Sequence, residues 1–314
     1  MCNNDPYILV LGASIVDVIG FCKKQYHERD SIPGTIKISL GGVCRNIAEN
    51  LARINVNTEF ISIVGGDVNG RSVLDNAREI GYSMKHSLVL KNECTPTYMA
   101  ILNEKGEMES GIVDMESIDK MEKPFIDSKK SIIENAEYTV LGSDNPELIE
   151  YIVTKFKGKT RFILDPVSAT KAAKVKDLVK YFHTIKPNRI EAGAMCGFEI
   201  KTDKDLNKAG QMFIDMGVTN VFISLDADGI YYKTKDEEGK IKTKPIVVKN
   251  VTGAGDSFVA GVGYGYMKNY SIKDTVKYAI AMSNITITHE DTINPLMSEA
   301  YADKYMESME WIEY

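Results

Sequence analysis

The sequence is short of most features that announce a function directly. Its five cysteines, Cys2, Cys22, Cys44, Cys94 and Cys196, are odd in number and scattered, and none forms a C-x-x-C pair. That excludes a zinc site of the usual spacing and fits a reducing compartment. The four histidines, His27, His86, His183 and His289, stand far apart, and no Ser-His-Asp order can be argued from them. No apolar run approaches the length of a membrane span. The start, Met1-Cys2-Asn3-Asn4-Asp5-Pro6, lacks the basic and apolar regions of a secretory signal, so a cytoplasmic protein is expected. Positive charge is not in excess: 38 Lys and Arg stand against 44 Asp and Glu, giving a net charge of -6. This argues against a nucleic-acid partner or a polybasic membrane surface. It leaves room for a small anion held by backbone amides. Two phosphate motifs are also missing. There is no G-x-x-x-x-G-K-[ST], and Gly12-x-Ser14 does not continue as G-x-G-x-x-G, which weakens a dehydrogenase reading.

What is present is an ordinary globular composition, 44% hydrophobic and 26% charged, over 314 residues. Continuous apolar runs that end in turn residues recur: Tyr7 to Gly12, Phe60 to Val64, Tyr138 to Leu141, Arg161 to Leu164, Tyr181 to Ile185 and Val221 to Leu225. Helical patterns separate many of them, as over Ser72 to Ile80 and Pro146 to Phe156. Strands alternating with helices predict an α/β fold with a mainly parallel sheet covered on both faces. Gly229 to Tyr232 predicts the start of a return strand and Ser298 to Trp311 a surface helix, and Ile246 to Val248 is a β-branched run. Three segments alternate polar and apolar residues instead: Thr35 to Ser39, Thr97 to Leu102, and the stretch near Ser110 to Val113. These predict a small separate sheet, a candidate lid drawn from about 15–40 and 92–116 within one domain spanning 1–314.

Two glycine loops lead into helices. The first is Gly41-Gly42-Val43-Cys44-Arg45-Asn46, followed by Ile47, Leu51 and Ile54 at helical spacing. The second is Asn250-Val251-Thr252-Gly253-Ala254-Gly255-Asp256, followed by the helical pattern Phe258 to Met267. Glycine lets backbone approach a ligand closely, and the first amides of a helix have no intrahelical partner. Such a turn is an anion site, commonly for phosphate. Asp256 adds a carboxylate able to take a proton from an attacking hydroxyl. The same residues also suit a plain turn with a helix-stabilising Asp, and an isolated Gly-Gly suits a plain strand-to-helix connection. Asp17, Asp144, Asp165, Asn188 and Asp256 all fall at expected strand ends, where ligands gather in open α/β sheets. From position alone Asp17 serves equally as a turn or cap residue. Asn188 and Glu191 stand three apart at a helix start and suit water-mediated Mg²⁺, which takes few protein ligands. Ser224 and Gly229 flank another loop at the same edge. Together these residues favour phosphoryl transfer.

In combination they resemble the ribokinase-like (PfkB) family of sugar and nucleoside kinases. Gly41-Gly42-x-x-x-Asn46 with Val64-Gly65-Gly66-Asp67-x-x-Gly70 is similar to its first signature, and Val251-Thr252-Gly253-Ala254-Gly255-Asp256 to its second. Lys186-Pro187-Asn188-x-x-Glu191 matches an element between them, and the likeness runs from about residue 7 to 295. The resemblance implies a three-layer α/β/α domain with a β-sheet lid that also forms a homodimer interface. It implies ATP and Mg²⁺, with Asp256 as base and the Gly253, Ala254 and Gly255 amides as the anion hole. Asp17, Gly41, Gly42 and Asn46 would hold the sugar hydroxyls. Asn188, Ser224, Gly229, Thr252 and Asn284 would meet ATP, and Glu191 with Asn188 would organise the metal through water. A base at a helix N-terminus is expected to have a depressed pKa, acceptable where the proton moves late.

Within the family the likeness is greatest to the members that phosphorylate pseudouridine, through Ser14 to Gly20, Pro33 to Lys37, Asp165 to Ala169 and Asn250 to Gly253. The resemblance then implies 5′-phosphorylation of a ribose carrying uracil on carbon. Thr97, Asp114 and Met115 of the lid would meet the base, although Asp114 equally suits an exposed turn. Other readings are a kinase for another nucleoside or ribose, and a non-catalytic sensor. Asn250 stands where many ribokinases carry an Asp that binds a monovalent cation, which leaves that cation open. Asp226 replaces a glycine beside the nucleotide, and Cys44 replaces a small residue and is expected to narrow the sugar loop.

Overall fold

Leu9 and Leu11 point into one apolar layer and Ile8 and Val10 into the other, because successive strand residues face opposite ways. That alternation gives three layers. The computed structural model describes residues 5–314. In chain order its strands are β1 Ile8–Leu11, β2 Ile15–Cys22, β3 Gly34–Gly41, β4 Thr58–Ile61, β5 Ile63–Gly65, β6 Leu88–Leu90, β7 Thr97–Leu102, β8 Met108–Asp114, β9 Tyr138–Gly142, β10 Arg161–Asp165, β11 Thr184–Ile185, β12 Asn220–Ser224, β13 Ile230–Lys233, β14 Glu238–Thr243 and β15 Trp311–Glu313. The main sheet runs β15-β14-β13-β12-β11-β10-β9-β1-β4. It is parallel from β4 to β12 and antiparallel from β12 to β15.

Strands β1 and β9 are buried throughout, as a sheet covered on both faces requires. One face carries the helices Val43–Arg53, Ala254–Met267 and Ile272–Ile287, whose Leu51, Phe258 and Tyr278 are buried. The other carries Pro146–Lys155 and Asp203–Asp215, with Ile152 and Phe213. The chain leaves β1 for one side and returns to its other side with β9, so a crevice opens at the strand ends beside Gly12 and Gly142.

A second sheet, β3-β2-β7-β8, is the expected lid. Its first strand, Ile15–Cys22, carries Asp17 inside the lid rather than at a turn after β1. The lid is tied to the body by an ion pair between Lys37 and Asp291 at 2.5 Å. The motif Val64 to Gly70 is the joint beneath it. Asp67 caps its helix at the Gly70 amide and accepts from the Thr95 amide and hydroxyl, just ahead of β7. A side chain on Gly65 would meet the backbone of Glu93, Cys94 and Thr95 within 2.6 Å.

Three expectations are corrected. Phe60 to Val64 is two strands, and β5 leaves the main sheet to pair with β6. Tyr181 to Ile185 contributes only the two residues of β11, after a 3-10 turn. The C-terminal helix stops at Ser308, and Trp311 begins a strand that covers the open edge of β14.

Candidate active site

The second glycine loop is set by Asn250. Its Nδ2 donates to the Glu290 carbonyl at 2.9 Å and its Oδ1 accepts from the Thr252 amide at 3.0 Å. Both ends of the amide are spent on the loop, and Thr252 itself is exposed. Gly253 then takes a φ of 83°, the left-handed conformation that glycine enters without strain, and the helix starts at Ala254. The expected anion hole is therefore a helix N-terminus with Asp256 in its first turn.

Asp256 is buried and accepts from Asn46 Nδ2 at 2.7 Å. Asn46 comes from the first turn of the helix after the first glycine loop, 210 residues away. The two glycine motifs thus meet at one carboxylate. Its pKa is pushed up to about 7, first by burial and then by the nearby Asp165 carboxylate; Asn46, Lys186 and Arg45 pull it down. This corrects the expectation of a depressed value. The helix dipole is worth at most about 2 kcal/mol, and loss of water around a buried carboxylate outweighs it. A carboxylate near 7 would be better matched to proton transfer at neutral pH than the weak base expected.

Lys186 and Asp165 complete the charged cluster. Lys186 is buried after β11, with Nζ 3.6 Å from Asp165 Oδ2 at the end of β10. Burial opposes its charge, but Asp165, Glu191 and Asp256 together hold its pKa above the ordinary value. Its ammonium lies where a side chain on Gly255 would reach, 2.6 Å from that Cβ position. Reasoning from sequence named Lys186 only as part of a motif. The signal available was electrostatic: carboxylates converging on one sheet edge need a buried cation.

At the first glycine loop, Gly42 has a φ of 97° and caps the helix, and a side chain there would strike the Ala13 carbonyl. Asp17 lies over Gly41, its Oδ2 2.2 Å from the absent Cβ, and burial raises its pKa. Asp17, Gly41, Gly42 and Asn46 are thus brought together. Thr97 sits opposite Asp114 across β7 and β8, but its hydroxyl donates to its own chain at Thr95, and Asp114 is exposed. Cys44 does not narrow the sugar loop. It is buried beneath the strand ends, its Sγ within 3 Å of where Gly12 or Gly142 would carry a Cβ. Asp144 is held by Lys171 at 2.6 Å and stays out of the cluster.

A cavity of about 610 Å³ adjoins the loop. Asn188, Ser224, Gly229 and Asn284 all line it, with Lys186, Ala254, Gly255 and the apolar Ile246, Val248, Ile280 and Ile287. Asp226 also lines it, at a φ of 53° that Asp tolerates better than most residues. Its size suits a nucleotide. Asn188 and Glu191 form a reciprocal capping box: each side chain accepts from the other's backbone amide at 2.8 Å. Their three-residue spacing thus has a structural use already.

Residues 5–299 match the model of the pfkB family of carbohydrate kinases. The chain belongs to that family. The pseudouridine kinase of Escherichia coli K12 is 32% identical over 309 residues, covering 97% of each chain. A Clostridium perfringens protein solved as a candidate sugar kinase is 57% identical, superposes with a TM-score of 0.94 and covers 99% of this chain and 98% of its own. Arabidopsis thaliana ribokinase, solved with ribose and ATP, shares the pfkB fold at a TM-score of 0.83 and 20% identity, covering 96% of this chain and 99% of its own. pfkB kinases transfer phosphate from ATP to a sugar or nucleoside hydroxyl, and this chain is a kinase of that kind. Among the described residues no helix is long and apolar enough to cross a membrane.

Proposed function

We propose that the protein phosphorylates the 5′-hydroxyl of a ribosyl substrate with ATP, and that pseudouridine is its preferred acceptor. The observation that carries the phosphoryl-transfer chemistry is the Asn46–Asp256 contact at the helix N-terminus beside the cavity. The choice of pseudouridine rests on the similarity to the Escherichia coli enzyme over the full chain. The acceptor would lie between Asp17, Gly41, Gly42 and Asn46 and the glycine amides. Asp256 takes the hydroxyl proton as the oxygen attacks. The Gly253, Ala254 and Gly255 amides and the Lys186 ammonium stabilise charge on the transferring phosphoryl group. Asn188, Ser224, Gly229, Thr252 and Asn284 hold the nucleotide.

Among the described residues no three His, Cys, Asp or Glu side chains form a metal cage. Mg²⁺ binding through water remains compatible with the site, since Glu191 spends one carboxylate oxygen on the capping box and keeps the other. When bound, the ion would neutralise charge on the phosphates. Asn250 is a neutral amide and offers no charge to a monovalent cation, and both of its ends hold the loop.

The test is ATP consumption with pseudouridine, uridine, adenosine and ribose side by side, with the phosphorylated position fixed by NMR. Preference for pseudouridine at the 5′ position supports the proposal. Preference for another acceptor retires the base assignment. No turnover with any of them favours a sensor. Replacing Lys186 with Met is expected to lower kcat about a hundredfold with a smaller change in KM, measured by coupled ATPase assay. An unchanged kcat would remove Lys186 from the transfer step.

We further propose a cytoplasmic homodimer built on the lid. Ile36, Ile38, Met99 and Ile112 share one lid face and are 74%, 63%, 43% and 65% exposed. A contiguous apolar face of this kind is an association surface. Sedimentation should give twice the 35.0 kDa of one chain. A monomer at micromolar concentration would rule the dimer out.

A further inference from the structure

Arg45 is buried under the first glycine loop, and no role follows for it from the phosphoryl-transfer chemistry. Its Nη1 donates to the Leu40 carbonyl and, at 2.9 Å, to Asn46 Oδ1. Its Nη2 donates to Glu49, one turn on, and more weakly to Asn76 Oδ1 at 3.4 Å. Glu49 is gripped from its other side by Arg53, through Nε at 2.8 Å, and Arg53 in turn donates to the Pro295 carbonyl. The Arg45 guanidinium is thereby fixed from several directions. Its Nε has no partner, a cost the site carries to hold the charge there.

An Asn side chain has two ends of nearly equal size, and only its partners decide which way it points. Guanidinium is a donor only, so it fixes Asn46 with its oxygen towards Arg45. The amide nitrogen is then left facing Asp256 at 2.7 Å. Flipped, Asn46 would set its oxygen against the Asp256 carboxylate. We propose that Arg45 is a positioning residue, locking Asn46 so that its amide donates to Asp256 and holds the carboxylate ionised and aimed. The chain of contacts runs Arg53, Glu49, Arg45, Asn46, Asp256. One hydrogen of Asn46 Nδ2 then remains for a bound hydroxyl.

The inference rests on the reading of Asp256 as base, but it can be tested apart from it. The charged and titratable groups around Asp256 are Asp165 at the end of β10, Lys186 after β11, and Arg45 and Cys44 of the helix. Burial and then Asp165 raise its pKa; the Asn46 hydrogen bond and the Lys186 and Arg45 charges lower it. Arg45→Met alone leaves the buried Glu49 carboxylate to Arg53 only, so the double variant R45M/E49M, which removes the buried pair and leaves the half-buried Arg53 on the Pro295 carbonyl, is the primary test. Arg45→Lys keeps the charge without the planar fork.

In ligand-free protein labelled with ¹³C at aspartate Cγ, the Asp256 titration should move up by about one pH unit in R45M/E49M, and by less in Arg45→Lys. The acid limb of kcat/KM should follow, with kcat about tenfold down and KM changed far less. A role confined to packing would lower the melting temperature and leave the titration in place. If the double variant folds and the Asp256 titration stays put, the inference is wrong. If the double variant does not fold, the same titration in Arg45→Lys decides it, unchanged values again overturning the proposal. If wild-type protein phosphorylates no acceptor, the proposed function fails, while the titration still decides the role of Arg45.

Discussion

Asp256→Asn is expected to lower kcat about a thousandfold while nucleoside affinity stays within about twofold. The amide keeps the size of the carboxyl but takes no proton from the attacking hydroxyl. Isothermal titration of the acceptor, beside the ATPase assay, separates the two quantities, and near-normal turnover would refute the base assignment. As the proposed base, the wild-type carboxyl would have to be ionised to act, so kcat/KM should fall as the pH drops through about 7. That limb should be absent from the residual activity of Asp256→Asn. Stability should move the other way. The folded pKa lies above the ordinary carboxylate value, so between about 4 and 7 the folded chain holds the extra proton, and stability falls as pH rises through that window. Above it, wild type carries the full cost of a buried charge, on the order of a few kcal/mol. Asp256→Asn should therefore melt higher than wild type at pH 8, with the gap closing below about pH 4. A variant that melts lower at pH 8 would show that the carboxylate is compensated in the folded state.

Gly253→Ala should cost about a hundredfold or more in kcat/KM. Two causes act together. The residue sits at a φ of 83°, which costs an alanine about 1–2 kcal/mol. Its Cβ would lie 2.1 Å from the Thr292 carbonyl oxygen, a backbone atom that cannot swing away. The turn must shift, and the following amides move with it by a fraction of an ångström. Gly255→Ala is the informative partner. Its Cβ would meet only the Lys186 ammonium, the free end of a flexible side chain. It should fold as well as wild type and act through a displaced Lys186. Thermal melts with kinetics for both variants check the contrast. A Gly253→Ala enzyme with wild-type rates would remove the turn geometry from catalysis.

Residue patterning along the chain was enough to show the layers and the punctuation. Buried strands need apolar side chains on both faces, so Ile8 to Leu11 and Tyr138 to Gly142 were legible as parallel core strands. Glycine at Gly42 and Gly253 was legible because the positive φ of those turns suits few other residues. The lid was legible from period-two alternation in Thr35 to Ser39 and Thr97 to Leu102, though its first strand was hidden in the run that follows β1. Asn188 and Glu191 fitted a metal pair by spacing, and the same spacing makes a capping box.

Which distant groups meet was a matter of long-range packing. Asn46 and Asp256 lie 210 positions apart, and their contact, like that of Lys186 with Asp165, exists because the strand ends and two helix starts converge on one crevice. The proton affinity of Asp256 was decided there too. Local sequence shows a helix N-terminus, which lowers a carboxyl's pKa. Desolvation, which raises it more, depends on what the rest of the chain packs around the group.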